Sequence, residues 1–203
     1  IIHQEMPKGD GKGRMLGFQL WSNLPRSHKM MDPRYLEVKT AQIPIVKTPS
    51  GASIRVVAGE LGGVRGPVRD IVSDPEYLDV SLAPKSSWVH PVKEGHTVFA
   101  YVFEGEGYFD PGRDPHAPGS SGKGSGEKDR SAVSGDGSVI LYGPGNRIAV
   151  TSDQKHVRFL LVSGKPLGEP IAWYGPIVMN TRKELATAFE EFEKGTFVKG
   201  QKR

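Results

Sequence analysis

The segment Thr97–Phe103, TVFAYVF, is built almost wholly of β-branched and aromatic residues, which suit a pleated strand far better than a helix. Shorter runs of similar character lie on both sides of it: Gln42–Lys47, Ala52–Ala58, Tyr77–Leu82, Val139–Tyr142, Arg147–Val150 and Val157–Val162. Turn-forming residues separate them, as Pro49-Ser50-Gly51 does between the first two. With 26 Gly and 16 Pro in 203 residues, and no long helix-period pattern through the body of the chain, this spacing predicts an all-β sandwich or barrel.

Three further segments complete the reading. Met15–Leu24, MLGFQLWSNL, reads as a strand with Phe18 and Leu20 on one face and Gln19 and Trp21 on the other, ended by Pro25. After TVFAYVF, Glu104-Gly105-Glu106-Gly107 reads as a turn, with Tyr108 and Phe109 starting the next strand. The span 110–137 is rich in Gly, Ser, Pro and charge and is expected as a long mobile hairpin loop. Its Gly122–Gly126 stretch, GKGSG, lacks the spacing and the following helix of a phosphate loop. One helix is predicted, over 182–194. Thr181 and Glu184 form a capping box, Leu185, Ala188, Phe189 and Phe192 form an apolar stripe suited to packing on the outside of a barrel, and Gly195 is the stop.

Several classes of function drop out. The chain has no Cys, which excludes disulfides and thiolate metal sites and fits a reducing compartment. No apolar run is long enough for a transmembrane helix, so no membrane partner is expected. The net charge of +4 comes from Lys and Arg scattered among Asp and Glu, without a basic patch interleaved with aromatics, so no direct nucleic-acid contact is expected. Lys199, Lys202 and Arg203 read as a solvated basic tail.

The candidate chemistry lies with histidine. In a strand, His3 and Glu5 of IIHQEMP point to one face, and an imidazole beside a carboxylate is half of a site for iron or a similar divalent ion. Alone, an H-x-E pattern leaves open both metal binding and a plain polar strand face. Trp88, His90 and Val92 share a strand face, and His96 returns just before TVFAYVF; these two His read either as ligands near a barrel mouth or as packed polar residues. His28, His116 and His156 read as surface or structural residues.

The residues then resemble the pirin family of the cupin superfamily. The resemblance runs through IIHQEMP (1–7), GFQLWSNLP (17–25), PRYLEV (33–38), GVRGPV (63–68), EYLDVSL (76–82), HPVKEGHTVFAYVFEGEG (90–107), FLLVSGKPLGEPIAWYGPIVMNT (159–181) and the closing helix with GTF (195–197). It implies a bicupin of two β-barrels with a C-terminal α-helix. Residues 1–40 would be the end of an amino-terminal barrel that is incomplete in this chain. Residues 41–203 would form the C-terminal barrel, including the loop 110–137 and the helix.

By that resemblance the amino-terminal barrel holds one iron, or another divalent metal, through three His and one Glu. His3 and Glu5 would supply two of these ligands, and an H-x-H upstream of Ile1 would supply the other two. The C-terminal barrel departs from the metal-binding cupin pattern. His90 keeps the first His position, but Val92 stands at the second, His96 at the Glu, and Ile148, after Gly143-Pro144-Gly145, at the last His. This barrel is therefore expected to be metal-free and to give structural support or contact partners.

The function so implied is a metal-dependent quercetin (flavonol) 2,3-dioxygenase in which Glu5 deprotonates the flavonol hydroxyl. The alternative is a non-enzymatic, metal-dependent regulatory protein, a transcription coregulator or a modulator of metabolic enzymes, with protein partners. The expected location is the cytoplasm, with the nucleus added for a eukaryotic source.

Overall fold

The computed structural model describes residues 9, 11–13, 15–110 and 133–199. They belong to two compact units, one of Glu37–Pro166 and the other of Ile1–Leu36 with Leu167–Arg203.

The first unit is a curled antiparallel sheet. Its strands are β1 (Ile45–Lys47), β2 (Ala52–Ala58), β3 (Glu60–Leu61), β4 (Val64–Arg65), β5 (Glu76–Leu82), β6 (Ser87–Pro91), β7 (Thr97–Tyr108), β8 (Val133–Gly135), β9 (Val139–Leu141), β10 (Arg147–Thr151) and β11 (Val157–Gly164). Nine of them form one sheet in the order β1-β2-β5-β11-β7-β10-β6, with β8 and β9 also on β7, while β3 and β4 make a small separate ribbon. Along β2, residues alternate between buried and half-buried, so Ala52, Ile54, Val56 and Ala58 face inward, as a strand period of two requires. Inward residues from both ends of the strand order meet in one cluster: Ile54, Leu78, Val102, Phe159 and Leu161 pack with Trp88, Ile148 and Val150. The sheet therefore rolls over its own apolar face. Burying each large side chain contributes ~1.5–3 kcal/mol.

Several predicted strand ends shift by one or two residues, and three larger differences have a clear physical cause. Gln42 belongs to the 3₁₀ turn Thr40–Gln42 and not to a strand. Pro44 disfavours helical geometry at Ile43 and cannot donate a ladder bond, so pairing starts only at Ile45.

Glu104–Gly107 is not a turn, because β7 runs straight through it. Phe159 pairs with Val102 and Arg158 with Glu104, which leaves Phe103 as the extra residue of a bulge. Gly105, at φ 79°, takes up the distortion. The end of the expected loop is also strand: Val133–Gly135 pairs with Glu106–Tyr108. The rest of that expected loop, apart from Asp110 and the stretch from Val133 onward, lies outside the described residues, as does His116.

In the second unit, Met15–Leu24 is not a strand, because it has no ladder partner among the described residues. Its Met15, Leu16 and Trp21 are 61%, 76% and 68% exposed. Further on, β12 (Ala172–Tyr174) and β13 (Ile177–Met179) form a hairpin. The helix α1 spans Arg182–Glu193 with Lys194 at its C-cap. Its start is fixed reciprocally: Glu184 N–H donates to Thr181 Oγ1 at 3.2 Å, and Thr181 N–H donates to Glu184 Oε2 at 2.8 Å. Within this unit the apolar stripe meets the hairpin, with Ala188 buried and Phe189 5.6 Å from the ring of Tyr174. Among the described residues no helix is long and apolar enough to cross a membrane.

Candidate functional site

The Glu37–Pro166 unit contains a cavity of ≈ 760 Å³, and three elements build it. The β3–β4 ribbon and the loop after it contribute Leu61, Arg65, Val68, Arg69 and Ile71; the start of β5 contributes Glu76; the end of β6 and the following loop contribute His90, Val92, Lys93 and His96. The ribbon folds close against β2: a Cβ on Gly66 would lie 2.5 Å from the Val57 carbonyl oxygen, so only glycine lets the two backbones approach this way.

Strand parity explains the polar floor. In β6, Trp88 and His90 point inward while Ser87, Val89 and Pro91 point out. In β5, Glu76 has the parity of Leu78, Val80 and Leu82, which are all buried. A carboxylate and an imidazole are thereby brought to the same interior. His90 Nε2 lies 3.0 Å from both Oε1 and Oε2 of Glu76. The histidine side chain is 2% exposed and the glutamate 17%. A carboxylate can only accept, so Nε2 carries the proton. Nδ1 of His90 is buried and has no hydrogen-bond partner among the described residues. The opposite face of the imidazole is closed by Trp88, stacked at 4.9 Å.

The residues singled out in sequence are placed as follows. Ile148 pairs directly across the ladder from His90 and is buried in the core. Val92 packs against the same core, and its N–H donates to Asn146 O at 2.9 Å. His96 lines the cavity, and its buried Nδ1 has no partner among the described residues. The donor set here is His90, already committed to Glu76, and His96, with aliphatic Val92 and Ile148 at the neighbouring positions, and this does not fit a metal ion. Among the described residues no group of three or more His, Asp or Glu is arranged to hold one.

His28 and His156 make exposed contacts, with Ser27 Oγ at 2.8 Å and Glu104 Oε1 at 3.0 Å. His3 and Glu5 lie outside the described residues. Glu76 is the site residue that motif reading passes over, although its inward parity in EYLDVSL is a signal for it.

At the rim, Arg65 Nε donates to Glu60 Oε2 at 2.6 Å, and Lys93 is paired with Asp74. Beyond the cavity, the Tyr142 hydroxyl is buried without a partner among the described residues, and burial pushes its pKa far above the ordinary tyrosine value.

Residues 77–198 match the family model described as the pirin C-terminal cupin domain. Over 99% of its length the chain is 35% identical to a Thermoplasma acidophilum protein provisionally named a quercetin 2,3-dioxygenase, and it covers 76% of that protein. It is also 35% identical to Pirin-1 of Arabidopsis thaliana, covering 95% of this chain and 61% of the relative. Among solved structures, a quercetin 2,3-dioxygenase from Acinetobacter baumannii superposes with a TM-score of 0.70 at 29% identity, over 87% of this chain and 55% of that one. The chain thus spans less than two thirds of the Arabidopsis relative and little more than half of the Acinetobacter protein.

Proposed function

The chain belongs to the pirin family, and from that premise we propose that it acts in a metal-dependent quercetin 2,3-dioxygenase, with His3 and Glu5 holding the metal. The observation that carries this reading is the superposition with the Acinetobacter quercetin 2,3-dioxygenase at 29% identity over 87% of the chain. The cofactor is iron or a similar divalent ion. His3 offers a neutral nitrogen donor and Glu5 an oxygen donor, a set suited to such an ion and without thiolate.

When bound, the metal supplies the positive charge that makes a coordinated flavonol hydroxyl acidic. The protein's own part is proton transfer and orientation. Glu5 accepts the hydroxyl proton on a carboxylate oxygen. A carboxylate beside a cation is a weak base, so Glu5 can perform this step only because the hydroxyl is acidified in the same place. The Glu37–Pro166 barrel carries the Glu76–His90 pair on its inward side, and its part in this reaction is support.

Oxygen uptake with quercetin, using the iron-loaded protein, tests this reading. Uptake that falls to background in His3→Ala is expected, and uptake no greater than that of the His3→Ala control overturns it.

A further inference from the structure

We propose that the cavity in the Glu37–Pro166 barrel is a second binding site, for a neutral ring compound bearing hydroxyl groups, with the Glu76 carboxylate as its anchor. Its occupancy does not depend on a metal.

Glu76 has hydrogen-bonding capacity to spare. An ionised carboxylate has about four acceptor positions, and the protein fills them with one N–H, that of His90, shared between the two oxygens at 3.0 Å. The same side chain lines the cavity and is 17% exposed. His96 lies on the same lining. The acceptor positions that Glu76 keeps open toward the cavity are what a ligand with hydroxyl groups would fill.

Charge and shape narrow the ligand further. The lining cations Arg65 and Lys93 are paired with Glu60 and Asp74, Arg69 Nε donates to the Gly66 carbonyl oxygen at 3.0 Å, and the charge on Glu76 faces the imidazole of His90. An ionic ligand would compete with these contacts, whereas a hydroxyl donates to Glu76 and leaves them intact. Leu61, Val68, Ile71 and Val92 offer apolar surface for a ring. The cavity, at ≈ 760 Å³, falls within the range of roughly 300–1,000 Å³ usual for small-molecule sites.

The hydroxylated ring could be aromatic or alicyclic, and calorimetric titration of the whole chain in the presence of a chelator distinguishes the two. Catechol and myo-inositol are the probes, and benzoate and benzylamine are the charged comparators. Saturable binding of catechol identifies a phenolic ligand, and saturable binding of myo-inositol identifies a polyol; either result supports the site. Glu76→Gln is expected to weaken binding about tenfold by removing the charged acceptor. Ile71→Trp places a bulkier ring on the apolar lining and keeps Glu76 and His90 unchanged; it is expected to weaken binding, so it decides the matter even where Glu76→Gln perturbs folding. His3→Ala is expected to leave the affinity unchanged. The proposal is overturned if neither neutral probe binds, if a charged comparator binds more tightly than both, if Ile71→Trp binds like the parent, or if His3→Ala abolishes binding.

Discussion

The imidazole of His90 lies flat on the indole of Trp88, with ring centroids 4.9 Å apart and planes 17° from parallel, while its Nε2 reaches both oxygens of Glu76 at 3.0 Å. One side chain is thus held by an aromatic face and by a charge-assisted hydrogen bond at once. With Ile148 directly across the ladder and Val92 packed against the core cluster, this histidine is tied into packing.

His90→Ala is therefore expected to cost about 2–4 kcal/mol, combining a cavity beside Trp88 with a Glu76 carboxylate left half-buried and unpaired. Urea denaturation measures this directly. Restoring part of the loss with Glu76→Leu in the His90→Ala background would confirm that the stranded carboxylate is a share of the cost. A single-mutant loss below about 0.5 kcal/mol would mean the pair is idle.

Arg158 and Asp79 join β11 to β5 through two parallel bonds, Nε to Oδ1 at 2.9 Å and Nη2 to Oδ2 at 2.7 Å. The guanidinium also lies 4.9 Å from the Phe103 ring centroid, above the bulge residue. The hydrogen bonds to Asp79 hold the arginine's proton more firmly than usual. Lysine cannot reproduce the fork or the stacking, so Arg158→Lys is expected to lose roughly 1 kcal/mol, most of what Arg158→Ala loses. Thermal melts of the two variants give the comparison, and an Arg158→Lys melt equal to the parent's would reduce the pair to a simple charge contact.

Gly105 and Gly137 have nearly the same backbone angle, φ 79° and 82°, but different surroundings. A Cβ at Gly105 would stand 2.0 Å from the His156 carbonyl oxygen, whereas a Cβ at Gly137 meets nothing within 4 Å. Gly137→Ala is expected to cost ~1 kcal/mol from backbone strain alone, and Gly105→Ala ~3 kcal/mol or more because the β7–β11 ladder must also open. Equal losses in the two variants, measured by chemical denaturation, would show that the bulge tolerates a side chain.

These residues also show what a sequence can and cannot reveal. The core strands are legible because each carries its own period-two pattern, as Ala52–Ala58 does. The helix is legible because its cap is local, Thr181 to Glu184. The Gly105 bulge is not: Glu-Gly-Glu-Gly has turn composition, and only the partner strand Val157–Gly164 shows that the ladder continues through it. Met15–Leu24 alternates as a strand should, yet a strand exists only with a neighbour to bond, and none pairs with it among the described residues. The Glu76–His90 contact spans fourteen positions between two different strands and leaves no motif, so parity within each strand was its only trace. His3 and Glu5 suggest half of a metal site by strand parity, and the family resemblance gives them their expected role.

The cap of α1 predicts an acid response. Glu184 is held below its ordinary value of 4.5, first by its hydrogen bond to Thr181 and then by Arg26, whose Nη2 lies 2.7 Å away. Its folded pKa is depressed, so the carboxylate form favours the folded helix. This contribution is complete above pH 4.5 and is lost as the pH falls through the lower folded value. Hydrogen exchange of the first-turn amides should accelerate in that acid window, beyond the intrinsic change, as the reciprocal Thr181–Glu184 bonds release. Glu184→Gln keeps a side chain able to accept from Thr181 but does not titrate, so its exchange protection should be flat across the same window. An unchanged acid slope in Glu184→Gln would assign the response to another group.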